Sequence, residues 1–221
     1  MGGSKKVIFQ LPKKGTLSPN GPEDALSYYY HPLVGWLYRA RSEQTLSLLE
    51  GFSFENILEI GYGGGVMMPS LQKVCRKLSG IDISSDSEKI TKNLAPLAVH
   101  PKLTKGDVRK MPYADGSFDL VVAFSMLQYF ADPECVIREI ARVLKPSGYL
   151  LIGVPRSDQW MDFIFKMIGF NLFGQLAPGN YSSIRAAIFQ KGFLPLSQKQ
   201  LPVFLPAFAG LYYSGLFQRG V

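Results

Sequence analysis

The sequence predicts an α/β protein built on a doubly wound, mostly parallel sheet with helices on both faces. Three observations carry that expectation. Short apolar runs alternate with helix-like stretches from Asn56 to Val154, the rhythm of repeated strand–helix–strand units. A glycine cluster, Gly61-Tyr62-Gly63-Gly64-Gly65, separates the first run from the first helical stretch. The run Tyr149–Val154 (YLLIGV) is continuously apolar, as in strands covered on both faces. A chain of 221 residues suits one domain with a substantial core and is short for two.

Taken in order, residues 1–22 are rich in Pro, Gly, Lys and Ser with little periodicity, and read as a flexible basic arm. Residues 23–52 form a helical cap, in which Leu46, Leu49 and Phe52 recur at helical spacing and Pro32 separates Tyr28-Tyr29-Tyr30 from a longer helix. The first strand is expected at Asn56–Ile60, with a helix running to about Lys77. Strands at Leu78–Ile83, Lys102–Val108 and Ser117–Phe124 follow, with a helix over about 85–97. Asp132 is placed to cap, and Pro133 to open, a helix whose Val136, Ile137, Ile140, Val143 and Leu144 share one face. Lys145-Pro146-Ser147-Gly148 ends it before strand Tyr149–Val154. A Met-rich aromatic segment spans 157–176, then a helix near Tyr181–Gln190 and strands near Phe193–Leu201 and Leu211–Gln218, seven strands in all. From residue 23 to 221 the chain reads as a single domain.

A net charge of +7 admits anionic partners, yet four of the basic residues lie in the first fourteen positions and the rest are scattered, so there is no strong nucleic-acid signal. Cys75 and Cys135 lack metal-ligand spacing and are expected on apolar helix faces, which suits a reducing, cytoplasmic setting. The opening residues lack the apolar core of a secretion signal. Leu201–Phe217 is uncharged, but Pro202 and Pro206 oppose a spanning helix, and a buried strand preceded by an apolar loop is expected.

The motifs narrow the function. Glu59-Ile60-Gly61-Tyr62-Gly63 sits where a strand passes into a helix, the place where backbone approaches a ligand and a helix N-terminus offers free N–H groups. Val66 breaks the dinucleotide pattern G-x-G-x-x-G, and no Gly-Lys-Ser/Thr follows for a P-loop. The pattern E-x-G-x-G-x-G, with Ser79-Gly80-Ile81-Asp82-Ile83 about 20 residues later, Gly106-Asp107-Val108, Asp115-Gly116-Ser117-Phe118-Asp119 and Arg142–Gly148 in order, resembles the class I S-adenosylmethionine (SAM)-dependent methyltransferases. The likeness is strongest to those acting on quinones, lipids and other small molecules, over residues 54–155.

That resemblance implies the Rossmann-like methyltransferase sheet of seven strands with an antiparallel C-terminal strand, and SAM as methyl donor with S-adenosylhomocysteine as product. It implies that Glu59, Gly61, Tyr62 and Gly63 orient the amino-acid end of the cofactor, that Asp82 and Ile83 hold the ribose, and that Asp107 and Val108 hold the adenine. Phe124 and Ser125 would border the adenine or methionine part, and Tyr30 would reach the cofactor from the cap. Gln128, Tyr129 and Trp160 are the candidate substrate contacts, and segment 157–180 the substrate lid. Asp119, early in its strand, is expected to be structural. Gln128-Tyr129 stand where relatives often carry histidine, and neither His31 nor His100 makes a convincing base, so in-line transfer resting on proximity is expected, with the catalytic residue unassigned. The greasy segment 157–176 and the loop 201–210 favour a small, apolar acceptor, with peripheral membrane contact compatible with them. A protein or RNA methyltransferase and a non-catalytic SAM-binding protein stay open; the segment Phe124-Ser125-Met126-Leu127 lacks the Asn/Asp-Pro-Pro-Tyr/Phe pattern of base or amide methylation.

Overall fold

The computed structural model describes residues 7–21, 24–84, 86–155, 181–202 and 211–220. Trp160, segment 157–180 and loop residues 203–210 lie outside the described residues. Seven strands, β1 (Phe54–Ile60), β2 (Cys75–Asp82), β3 (Lys102–Lys105), β4 (Phe118–Phe124), β5 (Leu144–Pro155), β6 (Phe193–Leu201) and β7 (Tyr212–Arg219), form one sheet in the order β3-β2-β1-β4-β5-β7-β6. The pairs from β3 through β5 are parallel, whereas β7 runs antiparallel to both β5 and β6. Strand order along the sheet reverses between β1 and β4, which opens the crevice of a doubly wound fold at their carboxyl ends.

Alternation in the central strands divides the core between the two faces. Ile57, Leu120, Val122 and Leu151 pack with the N-terminal segment and helices α1 (Gly35–Leu46), α2 (Met68–Leu71) and α3 (Ser87–Leu94). Leu58, Ile60, Val121, Leu150 and Ile152 pack on the other face against α4 (Glu134–Val143) and α5 (Tyr181–Gln190). Both faces of these strands are therefore buried, which is why their sequences read as unbroken apolar runs. Asp119 has the structural part expected of it: its carboxylate accepts from Asn56 N at 2.8 Å and pairs with Lys145 Nζ at 2.7 Å, tying β1, β4 and β5 together. Asp132 accepts from Glu134 N at 3.0 Å at the start of α4.

Three expectations need correction. The helix after the glycine turn is one turn long, Met68–Leu71, and passes through a 3-10 turn at Gln72–Val74 into β2. Cys75 consequently opens a strand instead of lying on a helix face. Residues 7–21, read as part of a flexible arm, pack onto the domain: Val7, Phe9 and Leu17 are buried in the core, and Gln10 N donates to Ser70 Oγ at 2.9 Å. The cap contains a 3-10 helix at Ala25–Tyr30 followed by α1 and a 3-10 turn at Ser47–Leu49.

Candidate functional site

The glycine turn leaves β1 with Gly61 at φ +68°, Gly63 at +51° and Gly65 at +78°, left-handed values that a side chain would strain. Gly61 N donates to Ile81 O at 2.8 Å, and Gly65 N closes on Tyr62 O at 2.8 Å. Gly63 N donates to Asp82 Oδ2 at 2.9 Å, while Asp82 Oδ1 accepts from Ser84 N at 2.9 Å. The acid at the end of β2 thus holds the turn after β1. Gly106 N bonds Asp82 O at 3.1 Å, bringing the end of β3 alongside.

Glu59 is buried under this turn, and its Oε2 has no hydrogen-bond partner. Burial, with a smaller contribution from the neighbouring Asp82 charge, pushes its carboxyl up to about 8. A carboxyl held in this way waits for a donor or a cation. Asp107, at the far edge, is engaged by its own neighbour: Arg109 binds it through Nε and Nη2 at 3.0 and 2.6 Å, which holds the carboxylate below its usual range. Ile83, next to Asp82, is 64% exposed, whereas Val108 is buried in the core.

The expected residues after β4 divide. Phe124 is buried, and Ser125 adopts φ +52°, a strained value for a residue with a side chain. Gln128 is buried, its Nε2 donating to Ser125 O at 2.8 Å while its Oε1 finds no partner; Tyr129 is half exposed. Tyr30 spends its hydroxyl on Pro12 O at 2.9 Å, so in this conformation it secures the N-terminal segment. Of the three tyrosines, Tyr29 is the fully buried one, bonding Ser42 Oγ at 2.9 Å. Glu59, Gly61, Tyr62, Gly63, Asp82 and Ile83 therefore assemble around one turn. Asp107 and Val108 lie beyond β2, and Phe124, Ser125 and Gln128 lie on the β4 side.

Three features escaped the sequence reading. Asp24, which accepts from Asn20 N and Leu26 N at 2.8 Å each, lies against the glycine turn. A Cβ at Gly63 or Gly64 would come within 3.1 Å of its carboxylate, so these glycines make room for the chain's own N-terminal segment. Arg41, on α1, sits among the rings of Tyr38, Phe124, Tyr212 and Tyr29, 3.8 to 5.7 Å from their centroids. Tyr212 hydrogen-bonds Ser125 Oγ at 2.9 Å, and its burial pushes its phenol up. Tyrosines and a lone arginine at scattered positions have no spacing that announces such a cluster.

A doubly wound sheet whose β1 turn is gripped by the acid ending β2 defines a nucleoside-binding α/β protein. Residues 58–152 match the family described as methyltransferase domain. The chain is 29% identical over 119 residues to a ubiquinone biosynthesis O-methyltransferase of Albidiferax ferrireducens, covering 52% of this chain and 46% of that one. With the protein of the same description from Bordetella bronchiseptica it shares 26% over 191 residues, 84% of this chain and 73% of the relative. The chain thus spans from about half to three quarters of the length of these relatives. Among solved structures, the N-methyltransferase NodS of Bradyrhizobium japonicum in complex with S-adenosylhomocysteine superposes with a TM-score of 0.63 at 20% identity, over 87% of this chain and 95% of NodS. Residues 58–152 thus carry a methyltransferase domain, and the chain is similar to the class I SAM-dependent methyltransferases, the family whose cofactor is SAM.

Proposed function

We propose that the chain transfers the methyl group of SAM to a small, largely apolar acceptor. The carrying observation is the Gly63–Asp82–Glu59 arrangement. One carboxylate is positioned at the end of β2, where a ribose would offer hydroxyls, and a second, unpartnered carboxyl is buried where a ligand ammonium would satisfy it. In this reading Asp82 and Ile83 hold the ribose, Asp107 and Val108 border the adenine, Glu59 with the Gly61–Gly63 turn receives the amino-acid end, and Phe124 and Ser125 border the adenine or the methionine part. The nucleophile's electron pair forms the new bond to the methyl carbon as the carbon–sulfur pair returns to sulfur, leaving the neutral thioether. Holding donor and acceptor in line supplies most of the acceleration such a reaction needs.

Gln128 and Tyr129 would contact the acceptor, and the sequence offers Trp160 and the apolar segment 157–180 as further contacts. The apolar character of that segment and the O-methyltransferase description of the relatives support a quinone-precursor-like or lipid-like acceptor. No helix among the described residues is long and apolar enough to cross a membrane. In this reading the enzyme is cytoplasmic and meets such acceptors at a membrane surface. Calorimetric titration with S-adenosylhomocysteine, followed by transfer of labelled methyl to metabolites extracted with the protein, tests the reading. Saturable micromolar binding with label appearing in an organic-phase product is expected. No binding, or label appearing only in protein or RNA, would overturn it.

A further inference from the structure

The cap helix α1 carries Arg41 into the interior, 8% exposed, at the carboxyl ends of β4 and β5. Its guanidinium carbon is 3.8 Å from the Tyr38 ring centroid, 5.5 Å from Phe124, 5.6 Å from Tyr212 and 5.7 Å from Tyr29. Among the described residues no carboxylate pairs with it. The Tyr29 side chain supplies one hydrogen bond, and Nε is buried with no partner at all. A guanidinium has five donors in a planar fork and stays charged at any physiological pH. Buried cations are normally paired, because ring faces recover only part of the lost hydration. Around it the unsatisfied polarity continues: Gln128 Oε1 is also buried without a partner, and the Ser125–Tyr212 hydroxyl pair at 2.9 Å lies beside the same rings.

The position gives this cluster a purpose. Phe124 ends β4 with Ser125 next in the chain, and Tyr212 opens β7 opposite Pro155, the last residue of β5. This is the side of the crevice away from Asp82, one strand beyond the glycine turn. Resting on the methyltransferase reading above, we infer that Arg41 recognises a carboxylate on the acceptor, so that the substrate is an organic acid with an apolar or aromatic body. Aromatic walls would take the body, and the guanidinium fork would take the acid head in the geometry that favours arginine for planar anions. The same cation would disfavour amines, whose charge it repels, and separate the acceptor's recognition from that of the cofactor.

The test begins by loading the full chain with S-adenosylhomocysteine, which checks the cofactor reading separately; a wild-type protein that does not take it up sinks that reading and this inference with it. The loaded protein is then titrated with 3,4-dihydroxybenzoate against 3,4-dihydroxybenzamide, and with octanoate against octanamide. At least one acid should bind about tenfold more tightly than its amide. In Arg41→Met that preference should shrink to below about threefold while S-adenosylhomocysteine affinity stays within about threefold of wild type. Should Arg41→Met fail to fold, Arg41→Lys keeps the charge without the fork and should reduce the preference by at least about threefold. Acids that bind no better than their amides, or a preference that survives both substitutions, would show that Arg41 serves packing alone and overturn the inference.

Discussion

At the scale of single residues, burial sets the protonation state of Glu59. Glu59 titrates about 8 in the fold against an ordinary 4.5, chiefly because it is buried. A carboxyl raised in this way stabilises the folded chain fully below its unfolded value, and that contribution is lost as pH rises through about 8. Unfolding free energy of the cofactor-free protein should therefore fall over this window, and Glu59→Gln should flatten the fall; parallel curves for the two proteins in denaturant titrations at pH 5 and 8.5 would contradict the assignment. Docking of a ligand ammonium on Glu59 would drive its proton off, so binding of S-adenosylhomocysteine at pH 7 should release close to one proton, read from calorimetry in buffers of different ionisation enthalpy. Asp82→Ala removes the clasp on Gly63 N and, in the proposed reading, the ribose contact, and should weaken cofactor binding by more than about tenfold, about 1.4 kcal/mol. Much of this was legible: Glu59, Asp82 and the glycines stand where the methyltransferase resemblance marks them. The burial of Glu59 and the Asp107–Arg109 pair were not, because each depends on how side chains turn once the strands are side by side.

At the scale of elements, β2 reaches close to the glycine turn because it carries Gly80. A Cβ there would lie 2.7 Å from both Met68 Cε and Tyr62 Cδ1, and 2.9 Å from Leu103 Cδ2. Gly80→Ala should cost about 1–3 kcal/mol of stability through overpacking, and push Tyr62 and the turn off β2. Equilibrium denaturation measures the first effect and cofactor titration the second. Strand and helix order was readable because buried parallel strands and the amphipathic α4 leave strong periodic signatures. Helix α2 was misjudged because Met68, Leu71 and Val74 keep a helical spacing that the 3-10 turn at Gln72–Val74 also satisfies. The backbone tightens there to let β2 begin at Cys75, three residues before the apolar pattern suggests a strand.

At the scale of the whole molecule, the N-terminal segment is part of the fold. Its anchors Val7, Phe9 and Leu17 stand among lysines, prolines and glycines at irregular intervals, so no period marks them, and only docking against α1 and the sheet face reveals their use. Phe9, in tilted contact with Tyr29 at 5.7 Å, is the largest of them. Phe9→Ala should cost about 2 kcal/mol, and on a chain of this length lower the melting temperature by about 4–8 °C, as calorimetry would show. An unchanged melting temperature would mean that the segment contributes nothing to the core.

The two ends of that segment are held by different forces. Near its start the contacts are greasy, whereas from Ser18 onward they are polar: Asn93 Nδ2 reaches Ser18 Oγ at 2.7 Å, Asp86 N reaches Asn20 Oδ1 at 3.2 Å, and Lys89 Nζ reaches Pro19 O at 3.5 Å. Water replaces bonds of the second kind at little cost, and it does not replace the first. The Ser18–Asn20 end should therefore loosen under anything that competes for those few polar bonds, well before the buried Val7 and Phe9 give way.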